Sequence, residues 1–167
     1  YGQLRLNMDS FFAQVYLNKN DGGESRVYGA ADIIDNSTQL VGQAQYDLSA
    51  AQGRHNIIVG ADFEFIRPDT ELTIQTDEGI DEFGAYLQTT SKVTSKLDFT
   101  AAVRGDYSSV SESMQFSPRA ALVYKPTNTS SFRVTFNRAF SSPGTNSNFL
   151  NIIAGQIPGT DIFVRGR

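Results

Sequence analysis

Between Phe116 and Leu150 the chain reads FSPRAALVYKPTNTSSFRVTFNRAFSSPGTNSNFL, and through both apolar runs the hydrophobic residues fall on every second position. Phe116, Pro118, Ala120, Leu122 and Tyr124 share one face of an extended segment, with Ser117, Arg119 and Lys125 on the other. After a short polar turn, Phe132, Val134 and Phe136 oppose Arg133, Thr135 and Asn137. A period of two requires strands, and one apolar and one polar face require a two-sided sheet. A soluble sheet hides its apolar face in a core. A transmembrane barrel turns that face to lipid and keeps the polar one inside.

The same period recurs upstream. Leu97, Phe99, Ala101, Val103, Gly105 and Tyr107 alternate with Asp98, Thr100, Ala102, Arg104, Asp106 and Ser108. Ile57, Val59, Ala61, Phe63 and Phe65 alternate with Ile58, Gly60, Asp62 and Glu64, and Phe83, Ala85 and Leu87 with Gly84, Tyr86 and Gln88. Leu4–Met8, Phe11–Leu17 and Leu40–Leu48 complete eight candidate strands, with no amphipathic helix among them. The fold class is all-β, and the chain is expected to form an antiparallel up-and-down transmembrane β-barrel segment, a partial barrel.

Composition narrows the function classes. The 12 Phe and 7 Tyr, many near strand ends (Phe11, Phe12, Tyr46, Tyr107, Phe116, Tyr124, Phe132), suit the aromatic girdles of an outer-membrane barrel or the core of a sandwich. Without cysteine there is neither a disulfide scaffold nor a thiolate metal site. A net charge of −4 and a pI near 4.9 argue against a nucleic-acid partner. No apolar run approaches the roughly 20 residues of a membrane helix, so any spanning is by strands.

The links separate the membrane and soluble readings. Short ones are expected at Asp9-Ser10, Ser49–Gly53, Thr94-Ser95 and Thr127–Thr129, and long polar ones at Lys19–Ser37, Arg67–Ile80, Ser109–Gln115 and beyond Phe140. They alternate, which puts tight turns at one end of an antiparallel sheet and long loops at the other. Outer-membrane barrels have that asymmetry, with short periplasmic turns and longer extracellular loops.

The string Phe116-Ser117-Pro118-Arg119-Ala120-Ala121-Leu122-Val123-Tyr124-Lys125-Pro126, followed by Phe132-Arg133-Val134-Thr135-Phe136-Asn137-Arg138-Ala139-Phe140, resembles a strand pair in the barrels of TonB-dependent receptors. Gly60-Ala61-Asp62-Phe63, Arg67-Pro68-Asp69-Thr70 and Asp81–Gln88 are similar to the same barrels. The resemblance implies a non-enzymatic transporter of the bacterial (Gram-negative) outer membrane, taking up scarce, bulky ligands of the siderophore, cobalamin or oligosaccharide class. It further implies outer-membrane lipid, a plug domain and TonB as partners, and no cofactor. Such receptors close with about 22 strands around a plugged lumen, which at roughly 21 residues per strand needs roughly 460 residues. Residues 1–167 are therefore expected to be part of one barrel domain. They show no signal peptide, plug, TonB-box-like segment or terminal aromatic residue.

With the apolar face to lipid, Asp62, Glu64, Gln88, Asp98, Arg104, Asp106, Arg119, Arg133 and Asn137 project inward and are candidates to meet plug or ligand. Cross-strand pairing that merely stiffens the wall would use the same residues. His55, the only histidine, lies beside a short turn without catalytic-triad or metal-ligand spacing. Asp77, Glu78, Asp81 and Glu82 form an acidic loop in which hard-cation binding is a weak candidate, since the spacing is not that of an EF-hand. Pro118, lacking an amide donor, is expected at the loop-side start of its strand or at a bulge. Two rivals to the receptor remain: a complete small eight-stranded barrel serving as anchor or adhesin, and a soluble β-sandwich or lipocalin-like binding module.

Overall fold

The computed structural model describes residues 1–22, 25–26, 32–71, 78–140, 152–156 and 163–166. Thirteen strands occur among them: β1 (Gly2–Asn7), β2 (Phe11–Lys19), β3 (Ser25–Arg26), β4 (Asp32–Asp35), β5 (Thr38–Ala50), β6 (His55–Arg67), β7 (Thr70–Glu71), β8 (Ile80–Thr94), β9 (Leu97–Ser108), β10 (Ser113–Thr127), β11 (Ser130–Asn137), β12 (Ile152–Gln156) and β13 (Phe163–Gly166). Eight of them form one sheet in the order β1-β2-β5-β6-β8-β9-β10-β11, every neighbour antiparallel. These are the eight strands expected from the alternation. Their order follows the chain, which is up-and-down topology, and β1 and β11 are the open edges of a partial barrel.

Register preserves the two faces across the whole sheet. In antiparallel pairs, directly opposed residues lie on the same face. Tyr46 pairs with Val59, Val59 with Leu87, Leu87 with Val103 and Val103 with Pro118. On the opposite face Gln43 pairs with Asp62, Asp62 with Gly84 and Gly84 with Asp106. A slip of one residue anywhere would exchange the faces, so the alternation of each strand constrains its neighbour.

The apolar face is uncovered. Among the described residues only Ile80 and Ala121 are buried hydrophobics, while Leu4 is 73% exposed, Val134 72% and Phe132 65%. A sandwich would lay a second sheet on this face, and no described strand does so. Aromatic residues form two bands on it. Phe63, Phe65, Phe83, Tyr107 and Phe116 lie toward the loop end, where the rings of Phe65 and Phe83 meet edge-on at 5.5 Å. Phe11 and Tyr46, a cross-strand pair, and Tyr124 and Phe132, another, lie toward the short turns, with Phe99 nearby. Ala44, Ala61, Ala85, Leu87, Val103 and Ala120 fill the space between, interrupted by Phe136. Strands of 12 to 15 residues from β8 to β10 exceed the roughly 9–11 that a tilted transmembrane strand needs.

The strands are staggered as a tilted wall requires. The line of direct partners from Leu4 runs through Val15, Gly42, Phe63, Phe83 and Tyr107 to Met114. It starts in the middle of β1 and ends at the loop-side end of β10. That steady climb is the shear that closes antiparallel strands into a barrel.

The connections depart from expectation in four places. The Ser109–Gln115 link is only the turn 109–112, because β10 begins at Ser113. Glu112 turns the chain at φ 47°, its amide donating to Ser108 O at 3.0 Å. The two longer links carry strands of their own: β4 pairs with both β3 and β7, tying the 20–37 and 68–79 connections into a three-stranded sheet. Beyond Phe140, β12 and β13 pair with each other. Pro118 lies inside β10 rather than at its start. Its carbonyl accepts from the Arg138 amide at 3.0 Å, just past the last β10–β11 partners Arg119 and Asn137. The missing proline donor therefore faces the side where β11 has already ended, which is where a strand tolerates it.

Val103→Arg should cost the barrel roughly 2–4 kcal/mol, because it places a charge at the middle of the apolar face that the expected barrel turns to lipid. Gln43→Arg, on the polar face opposite Asp62, should leave stability unchanged. Urea unfolding of the intact protein in lipid vesicles measures both, and equal midpoints for the two variants would refute the assignment of faces.

Candidate functional site

The polar face is built around long side chains that cross a whole strand. Arg104 on β9 reaches over β8 to Asp62 on β6, with Nη1–Oδ2 2.7 Å and Nη2–Oδ1 2.8 Å, while its Nε donates to Asp106 Oδ1 at 2.7 Å. The residue of β8 between Asp62 and Asp106 is Gly84, and a side chain there would collide with the Arg104 guanidinium. Tyr86 repeats the pattern one strand earlier. Its ring lies over Gly60 on β6, where a Cβ would strike it, and its hydroxyl donates to Gln45 Oε1 on β5 at 2.8 Å. Glycine inside a strand marks close approach of another group, and each of these two passes a side chain to the second strand away. The Arg104 guanidinium also sits 5.9 Å from the centre of the Tyr86 ring.

The remaining expected residues divide by location. Glu64 and Glu82 are direct cross-strand partners, a like-charge pair that opposes association. Gln39 relieves Glu64 by donating from Nε2 to Oε1 at 2.6 Å. Asp98 accepts from Lys125 Nζ at 2.7 Å near the short turns. Gln88 lies opposite Ala102, the partner of Arg119 on the next strand. Arg119 and Asn137 are direct partners, with Arg133 further along the same face of β11, and all three are exposed. Together with Ser117, Thr135 and Arg138 they line a concavity of about 530 Å³. The wall therefore has an acidic loop-side region on β6, β8 and β9, braced by Arg104, and a basic region on β10 and β11.

The acidic loop is not gathered into one site. Asp77 lies outside the described residues. Asp81 and Glu82 are adjacent in a strand and so face opposite sides. Asp81 is at the rim of the apolar face, 2.7 Å from Arg67 Nη1. This contact is an ion pair rather than a hydrogen bond, because that nitrogen donates to the carbonyls of Ile66 at 3.0 Å and Ile80 at 3.4 Å. Among the described residues no group of three or more His, Asp or Glu is placed to hold a metal, and Glu78 joins none. His55, exposed at the turn end, shares a 2.9 Å hydrogen bond between Nδ1 and Ser91 Oγ. No described carboxylate orients the ring, so triad geometry is missing.

Reasoning from sequence found the charged members of the wall but missed Gln39, Gln45 and Tyr86, and it gave Gly60 and Gly84 no role. The available signal was glycine at polar-face positions of strongly alternating strands.

At the loop end, Asp35 braces the base of the 20–37 connection. Burial pushes its carboxyl up, but the Ser37 hydroxyl and amide and the Asn20 amide outweigh that and hold it below the ordinary aspartate value. Asn20 Nδ2 donates to Oδ2 at 2.8 Å and the Ser37 amide to Oδ1 at 3.0 Å. A depressed folded value stabilises above the unfolded pKa and is lost as pH falls through the folded one. Lowering the pH from about 5 to about 2 should therefore speed pepsin cleavage of this connection. In Asp35→Asn the connection should be loose already at the higher pH, so its cleavage should follow only pepsin's own pH dependence, and identical pH profiles for the two proteins would exclude the brace.

Arg104→Gln would leave Asp62 and Asp106 facing each other across Gly84, so a neutral residue at this inward position is not innocuous. Since the pair is about one-third exposed, screening limits the Arg104–Asp62 coupling to about 1 kcal/mol. Gly84→Ala should lower stability by a similar amount and add little to Arg104→Gln, because both remove the same bridge. Strict additivity in a double-mutant cycle would contradict the crossing.

Comparison with known proteins agrees with this geometry. No individual curated protein matched the chain. The family model described as "TonB dependent receptor-like, beta-barrel" matches residues 1–164. Barrels of this family typically lie in the outer membrane and serve transport receptors rather than enzymes. The open sheet, with its exposed apolar face and braced polar face, thus belongs to the TonB-dependent receptor β-barrel family.

Proposed function

We propose that this chain is part of the barrel wall of an outer-membrane receptor that imports a scarce, bulky ligand of the siderophore, cobalamin or oligosaccharide class. In this reading further strands of the same receptor complete the barrel, a plug domain fills the lumen, and TonB acts on the plug to open the path. The observation that carries it is the division of the sheet. One face is apolar and uncovered through eight strands, and the other is polar and crossed by the Arg104 and Tyr86 bridges. Only a wall between lipid and a polar lumen needs both.

The connections supply the capture surface. The 20–37 and 68–79 loops leave the same end of the sheet and are joined through β4 and β7, with Ile34 opposite Glu71 and Asp35 opposite Thr70. The Asn36 amide donates to Asp69 O at 2.7 Å, and the Asp69 amide to Ser37 Oγ at 3.2 Å. Loops tied in this way present one surface at the lumen mouth. The polar wall below holds the plug, whose movement admits ligand.

Uptake into vesicles carrying the intact receptor, with and without residues 20–37 and 68–79, tests this. Removal of both loops should reduce uptake at least tenfold while the barrel remains assembled. Unchanged uptake would eliminate capture by these loops.

A further inference from the structure

Among the described residues three cations of the sheet have an anionic partner within ion-pair distance. Arg104 is bound by Asp62 and Asp106, Lys125 by Asp98, and Arg67 at the rim by Asp81. Three arginines without such a partner are gathered in the β10–β11 region. Arg119, Arg133 and Arg138 have no carboxylate within ion-pair distance among the described residues, and all are exposed. They share the 530 Å³ concavity with Ser117, Thr135 and Asn137; the paired Arg104 reaches its edge, and among the described residues no Asp or Glu lines it. Like charges on adjacent strands repel, so nothing in the sheet itself favours collecting them.

The lining has the chemistry of an oxyanion site. Guanidinium forks bind carboxylate or phosphate oxygens bidentately, at fixed geometry and without losing charge. Hydroxyl and amide groups of Ser117, Thr135 and Asn137 add donors between them. The volume lies in the range of small-molecule sites, about 300–1,000 Å³. A cationic wall in a narrow lumen also raises the local concentration of anions, whereas the acidic region around Glu64 and Glu82 repels them.

We infer that the β10–β11 wall is a binding site for a small solute bearing several carboxylate or phosphate groups, with Arg119 and Arg133 as its principal contacts. This rests on the transport reading above and selects, within it, an anionic ligand over a neutral one. A small solute is favoured over a protein segment because the donors line one concavity of small-molecule size.

The test is calorimetric titration of the intact receptor in zwitterionic detergent with citrate, with inorganic phosphate and with neutral maltotriose. Citrate or phosphate should bind, more weakly as salt rises, and maltotriose should not. The stronger arm identifies which oxyanion the site takes. Arg119→Gln/Arg133→Gln should weaken that binding at least tenfold, while Arg54→Gln, which removes a charge at a short turn, should leave it unchanged. Absence of binding by both anions at millimolar concentration overturns the inference, as does equal binding by the double variant. A double variant that binds anion normally but loses its plug more readily would assign the arginines to the plug instead. The titration needs no energy coupling. A receptor that binds anions but fails to import any solute would therefore sink the transport reading alone.

Discussion

Everything in this structure follows from a requirement on the backbone. A sheet that turns an apolar face outward into hydrocarbon has no water there to satisfy its amides and carbonyls, so each strand depends on its neighbours for hydrogen bonds. The antiparallel ladder running from β1 to β11 meets that requirement through eight strands. It also enforces a side-chain period of two and a common register. The apolar row and the polar row are therefore consequences of one set of hydrogen bonds. The same requirement explains Pro118, which is admitted where its missing donor faces no ladder partner.

Once the ladder is fixed, the polar face has the harder problem. It carries Asp62, Glu64, Glu82 and Asp106 close together, and like charges on neighbouring strands disfavour the pairing that holds the sheet. Gly84 solves part of it by leaving room for Arg104 to cross β8 and neutralise two carboxylates at once. Gly60 gives Tyr86 the same freedom toward Gln45. These bridges join strands that are not adjacent, a coupling the backbone ladder cannot provide. The loop end is organised by similar means, since β4 and β7 connect segments far apart in the chain. Neither kind of bridge reaches Arg119, Arg133 or Arg138 of the basic concavity.

Legibility from sequence tracked the range of the interaction. All eight strands of the large sheet, and the common polar face of Asp62, Arg104, Asp106, Arg119 and Arg133, are local properties of alternation and were readable as such. Strand ends were read short: Phe83–Thr89 became Ile80–Thr94, because polar residues such as Thr90, Ser91 and Asp81 continue the ladder without continuing the hydrophobic signal. The strands β3, β4 and β7 were missed because two to four residues are too few to show a period. Their stability comes from partners elsewhere in the chain.

What the chain determined by itself is therefore its class and its two faces. Side-chain alternation follows from backbone geometry and needs no knowledge of the neighbour. The tertiary structure decided which charges meet: Arg104 with Asp62, Lys125 with Asp98, Glu64 opposite Glu82, and Arg119 and Arg133 with no described carboxylate beside them. Those outcomes depend on register and on the reach of a side chain over a glycine one strand away. A one-dimensional pattern carries neither.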